Sequence, residues 1–317
     1  MKYLNNAISA LVIGLGTAAF AQTASAEFPE KSITVMLPFG PGGGTDMLTR
    51  SFDLFANDVF GHNFTIEYRP GGGSAVGTTA LAREEADGYT IGMGSLPHMY
   101  LQPAAGAGEY TLDDFDYIAL IAREPQLMVT PLESPYDSYD ELKAAAQENP
   151  GSLTLGIPSP LSETWLAYQR INAIEDLGFT VITYQGGGQM NAALLGNQVD
   201  AAVTNIGPVY GEIENLNVLG VTSEDRVSFL PDVPTFKELG VDVVTSVERV
   251  FIAPKGVPEK NLEALRAGFR EIWHNPEFQE RMAELRFGMA WIDGAEVSDY
   301  LEGQKEIILE IYEASEN

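Results

Sequence analysis

The sequence contains no cysteine among its 317 residues. That excludes disulfides and thiolate metal sites, and it excludes the cysteine that a bacterial lipoprotein carries at its cleavage point. Basic residues are also scarce: 18 Lys plus Arg stand against 45 Asp plus Glu, a formal net charge of −27. A chain this acidic lacks the basic face that phosphate neutralisation requires, so no nucleic-acid partner is expected. The acids are spread along the chain in pairs such as Glu84-Glu85 and Asp113-Asp114 rather than gathered in a tail. The three histidines, His62, His98 and His274, lie far apart and have no zinc-ligand spacing. Asp113-Asp114-Phe115-Asp116 lacks the glycine and terminal glutamate of a calcium loop. No metal and no cofactor are expected.

Long hydrophobic runs are absent except near the N-terminus. Met1-Lys2 is followed by the uncharged stretch Ala7 to Ala21 and then by Ala24-Ser25-Ala26. This is the pattern of a secretory signal peptide over residues 1–26, too short and too glycine-interrupted for a comfortable membrane span. The expected location is the periplasm. The mature N-terminus is expected near Glu27, and intact-mass measurement of exported protein that retains residues 1–26 would reject this.

What remains is about 290 residues, enough for two domains. Short apolar runs alternate with helical patterns: Ile33 to Leu37 before a helix over Thr45–Asn57, Phe64 to Tyr68 before Ser74–Glu85, and Tyr89 to Met93. After Pro125 the alternation resumes through strands at Leu127 to Val129, Leu153 to Ile157, Phe179 to Thr183, Ala201 to Val203 and Val218 to Val221. Helices are expected over Tyr139–Gln147, Ser162–Glu175 and Met190–Leu195 between them. The C-terminal part reads as helices over Glu259–Trp273, Pro276–Leu285 and Ala295–Ala314. This is an α/β pattern with parallel sheets and crossover helices.

Four strand–loop–helix junctions carry Gly-rich or Ser/Pro-rich loops: Pro38 to Asp46, Arg69 to Ser74, Gly156 to Ser162 and Gln185 to Gln189. Two fall in each half, so two similar lobes could present them across a cleft, beyond the carboxyl ends of their strands. A helix start leaves backbone N–H groups without intrahelical partners and carries a partial positive charge. Glycines let an anion approach those amides without any lysine or arginine. A nucleotide P-loop is excluded, because Thr45-Asp46 follows Gly44 where Lys and Ser/Thr would stand. Each such loop is equally readable as a tight turn.

At these residues the chain resembles the substrate-binding proteins of tripartite tricarboxylate transporters, the Bug family. The resemblance runs from Phe28 to about Tyr312. Its blocks are Val35 to Asp46 with Arg50; Arg69 to Gly73 with Gly77 and Ala86 to Thr90; Tyr184 to Gly188 with Leu195 to Asp200; and Leu230 to Thr235 with Glu238 to Gly240, then Ala253 to Pro258. It implies a two-lobed Venus-flytrap periplasmic binding fold joined by crossing strands. It implies capture of a small organic carboxylate and delivery to membrane transporter subunits, by a monomer and not by an enzyme. The expected lobes are residues 27–124 with about 226–317, and about 125–225. By carry-over, Phe39, Gly43, Gly44, Thr45, Asp46, Gly186, Gly187 and Asn205 are expected at the ligand, with Ser95, Ser159 and Ser162 added from neighbouring loops.

Three departures bear on the ligand. Gly156 to Thr164 replaces a loop that ends in histidine in many relatives, Ser246 to Phe251 replaces a Trp-aromatic pair, and Tyr68 replaces an asparagine. Arg249 is expected either at a ligand carboxylate or paired with Glu248 or another surface acid. Asp46 is equally readable as a helix N-terminal cap. His98 is a candidate cleft residue. The alternatives are a secreted α/β hydrolase using Ser159 or Ser162 with a histidine brought close in space, although no G-x-S-x-G elbow is present, and a binding protein feeding a signalling receptor.

Overall fold

The computed structural model describes residues 28–315. The expected signal segment, residues 1–26, lies outside the described residues. The elements follow in order as β1 (Thr34–Leu37), α1 (Gly44–Phe60), β2 (Thr65–Tyr68), α2 (Ala75–Ala82), β3 (Thr90–Leu96), α3 (His98–Ala104) and β4 (Phe115–Pro131). Then come α4 (Tyr139–Glu148), β5 (Thr154–Ile157), α5 (Glu163–Glu175), β6 (Thr180–Thr183), α6 (Gly187–Leu195), β7 (Ala201–Asn205), α7 (Ile206–Tyr210) and β8 (Leu216–Val221). The chain finishes with β9 (Ser246–Pro254), α8 (Glu259–His274), α9 (Pro276–Glu284), β10 (Met289–Asp293) and α10 (Gly294–Ser315). Among the described residues no helix is long and apolar enough to cross a membrane.

The strand order is β2-β1-β3-β9-β4-β7-β5-β6, with β8 and β10 also paired to β4. β1 is parallel to β2 and β3, and β5 is parallel to β6 and β7. The same three-strand unit therefore occurs twice. The expected parallel pairing holds within each unit, and between the units β4 and β9 run antiparallel to each other and to their neighbours. β4 spans 17 residues. Its first part, to Pro125, pairs with β9, and from Gln126 onward it pairs with β7 and β8. One strand thus leaves the first unit and enters the second, and β9 leads back.

Each unit has its own apolar interior. The cluster holding Val35 and Leu48 also holds Phe251, Phe269 and Phe278 from the C-terminal part. The second unit buries Leu155, Ile157, Val203 and Phe236. In α1, Leu48, Phe52 and Ala56 recur every four residues and are fully buried, so one stripe of the helix faces the core. The Phe52 and Phe278 rings pack in a tilted arrangement at 4.6 Å between centroids, and burial of such a ring contributes about 1.5–3 kcal/mol. This packing fixes α1 with its N-terminus at the carboxyl end of β1. The chain is two-lobed, and the loops after β1, β3, β5 and β6 meet between the lobes.

Candidate ligand-binding cleft

The α1 start is bare. Gly43 is its N-cap and no side chain caps it. The first helical bond runs from the Met47 N–H to the Gly43 carbonyl, so the amides of Gly44, Thr45 and Asp46 have no intrahelical acceptor. The start of α6 is equally uncapped, with Gly186 as N-cap. The two glycine loops touch across the lobes: the Gly40 N–H donates to the Gln185 carbonyl at 3.3 Å. A Cβ on Gly188 would stand 2.4 Å from the Pro41 carbonyl oxygen, backbone against backbone. Gly188→Ala is therefore expected to hold the lobes apart, even though alanine suits the helix better. Small-angle scattering of the variant should show a larger radius than wild type under saturating ligand, with affinity lowered on the order of tenfold. An unchanged radius and affinity would contradict this.

The cavity between the lobes has about 40 Å³ for the centres of water-sized groups. Nine of the expected residues line it: Phe39, Gly43, Gly44, Thr45 and Ser95 from one lobe, Ser159, Gly187 and Asn205 from the other, and Arg249 on β9. Three do not. Asp46 turns away: its carboxylate accepts from the Gly42 N–H (2.8 Å), from Arg50 Nε (2.8 Å) and from the Tyr68 hydroxyl (2.6 Å). Those bonds tie the loop to its own helix. Ser162 is consumed as the N-cap of α5, accepting from the Trp165 N–H at 3.0 Å. Gly186 packs against Gly40 and Phe39 instead of lining the cavity.

Arg249 is not a surface residue. It is 2% exposed and its guanidinium pairs with Glu124 of β4, which is wholly buried. Successive strand residues project to opposite faces. Glu248 accordingly meets Arg123 and Tyr300 on one face while Arg249 meets Glu124 on the other. The expectation of a Glu248 or surface-acid partner is corrected on that ground. Glu124 also accepts from the Gly207 N–H at 3.1 Å. Burial raises its pKa, and the guanidinium and that N–H oppose the shift. The guanidinium lies directly against Gly44, where a Cβ would stand 2.3 Å from Nη2. The cation and the bare helix start thus converge on the same point.

Two further lining residues were weakly legible or missed. His98, 2% exposed, sits at the start of α3, with Nε2 2.8 Å from Ser159 Oγ across the lobes. Its ring packs edge-on against Phe39 at 5.2 Å. Burial lowers its pKa, opposed by Glu163 and assisted by Arg249, so the ring is neutral at neutral pH. Glu163, 5% exposed, begins α5; its Oε1 accepts from Asn205 Nδ2 at 2.9 Å. Its Oε2 is 3.5 Å from His98 Nδ1. The only sequence signal for Glu163 was its place in the divergent loop before α5.

Residues 48–310 match the profile of the family described as Tripartite tricarboxylate transporter family receptor. The chain belongs to this family. The UPF0065 protein in the gbd 5' region of Cupriavidus necator is 30% identical over 280 residues, covering 88% of this chain and 86% of that protein. BugT of Bordetella pertussis is 29% identical over 285 residues, 87% of each chain. Among solved structures, the periplasmic binding protein BugD is similar with a TM-score of 0.85 and 25% identity, covering 91% of this chain and 98% of that one. An R. palustris protein solved with adipate (TM-score 0.86, 23% identity, 91% and 98% covered) shares the fold. So does MatC of Rhodopseudomonas palustris solved with malate (0.82, 21%, 90% and 99%). Members of this family are receptors, not enzymes. Ser159 does meet a histidine in space, as the hydrolase alternative required, but here the contact bridges the two lobes of a receptor.

Proposed function

We propose that this family member is a periplasmic receptor that closes its lobes over a small organic carboxylate and hands it to transporter subunits in the membrane. The lobes would be residues 27–124 with about 226–317, and about 125–225, moving as a monomer about the β4 and β9 crossings. The observation that carries this reading is the convergence of the uncapped α1 amides with the Arg249 guanidinium at Gly44. Helix-start amides favour an anion, and a guanidinium matches a carboxylate. The malate and adipate complexes of proteins with this fold support the same ligand class. The test is a thermal-shift screen of mono-, di-, tri- and aromatic carboxylic acids, followed by calorimetric titration. One acid per chain should bind, and ester substrates should not turn over. Ester hydrolysis lost in Ser159→Ala, with no acid bound, would establish the enzyme alternative instead.

A further inference from the structure

The cavity carries one more charge than an anion receptor needs. Arg249 and Glu124 offset each other as a contacting pair, and among the described residues lining the cavity Arg249 is the one formal cation. Glu163 also lines the cavity, at 5% exposure, and is left without a cation of its own. Its Oε1 is satisfied by Asn205, whereas Oε2 has no hydrogen-bond partner. His98 Nδ1 is 3.5 Å away and also has no hydrogen-bond partner. A proton on Nδ1 puts N–H rather than a lone pair toward the carboxylate, leaving Nε2 to accept from the Ser159 hydroxyl. That arrangement orients the ring but still leaves a carboxylate oxygen buried without a hydrogen bond on a residue that lines the cavity. Buried acceptors of this kind are normally satisfied, and a buried charge calls for a partner.

We propose that Glu163 sets ligand choice: the cleft selects carboxylates that also bear an ammonium group, with the acid on the α1 start and the ammonium on Glu163. This rests on the carboxylate reading above and narrows it. A ligand carboxylate and ammonium together leave the cavity closer to charge balance than a dianion does. A dianion would place its second carboxylate against Glu163, where like charges repel. Selection then works by rejection as much as by attraction. A hydroxyl donor satisfies Oε2 without offsetting its charge, so hydroxy acids fall between the two.

The test uses short straight-chain acids, each in unsubstituted, hydroxy and amino form: succinate, malate and aspartate; glutarate, 2-hydroxyglutarate and glutamate; butyrate, the hydroxybutyrates and the aminobutyrates. Dissociation constants are measured for wild type and for Glu163→Gln, which keeps the oxygen that Asn205 donates to. For the best skeleton, the amino form should bind wild type on the order of tenfold or more tighter than the unsubstituted acid. In Glu163→Gln that order should reverse. Equal binding of unsubstituted and amino forms to wild type would overturn the proposal while leaving the carboxylate reading intact. So would equal weakening of all forms in the variant. Binding by no acid at all would overturn both. If Glu163→Gln does not fold, the wild-type ranking alone decides.

Discussion

Gly44→Val is expected to abolish binding, weakening it by about 2–5 kcal/mol, the range for breaking a buried charged hydrogen-bond pair. Two effects coincide at this residue. The new side chain would occupy the approach to the bare α1 amides, and its Cβ would stand 2.3 Å from Arg249 Nη2 and 2.9 Å from Cζ. Arg249 has little room to yield, because Glu124 holds its guanidinium and the Phe287 ring lies 5.8 Å away. Gly43 is the less demanding position. Its φ of −89° is open to any residue, and a Cβ there meets Gly187 N only at 3.5 Å, an ordinary contact. Arg50→Gln is the control: Arg50 is exposed and bonds Asp46 and Tyr68, so its loss should stay within about 1 kcal/mol. Calorimetric titration with the tightest-binding acid from the screen, with folding checked by circular dichroism, measures both variants. Normal binding by Gly44→Val with loss in Arg50→Gln would replace the amide cradle with a side-chain ion pair.

Arg249→Leu is expected to lower stability by about 3–5 kcal/mol, because it strands the Glu124 charge in the interior. In a chain of this size that is on the order of a 10 °C fall in Tm. Gly207 N–H alone then faces the carboxylate. Replacing both partners, Arg249→Leu with Glu124→Leu, should restore most of the stability, since a buried ion pair is often exchangeable for packed apolar groups. Binding should not return, because the cation beside Gly44 is gone. Thermal unfolding and titration of the single and double variants separate the two roles. Full binding in a stable double variant would show that Arg249 serves the fold alone.

The contrast between these residues shows what the sequence makes visible. The loop Phe39 to Thr45 was legible because glycines before a helix have a local meaning: they expose amides. Gly187 was legible for the same reason. The Arg249–Glu124 pair was not, because its members lie on separate strands and depend on register. The resemblance to a fold with crossing strands places the crossing near Ile121 to Gln126 and the return between Val221 and Phe251, but as a strand only Leu127 to Val129 was read, so nothing set Glu124 beside Arg249. In the fold the stretch before Leu127 is the crossing itself: Glu124 is ion-paired, and the Gln126 N–H donates to Thr222 Oγ1 at 2.8 Å. β9 was hidden in the same way by Glu248-Arg249, which point to opposite faces. Asp46 and Ser162 were expected at the ligand, but local bonds use them instead.

The central claim is that the space between the lobes holds a small carboxylate. Mass spectrometry of the small molecule released by denaturing freshly purified protein tests it most directly. The account predicts an organic acid at about one per chain, lost from the Gly44→Val variant purified in parallel. Recovery of a ligand with no carboxyl group, retained equally by Gly44→Val, would contradict it.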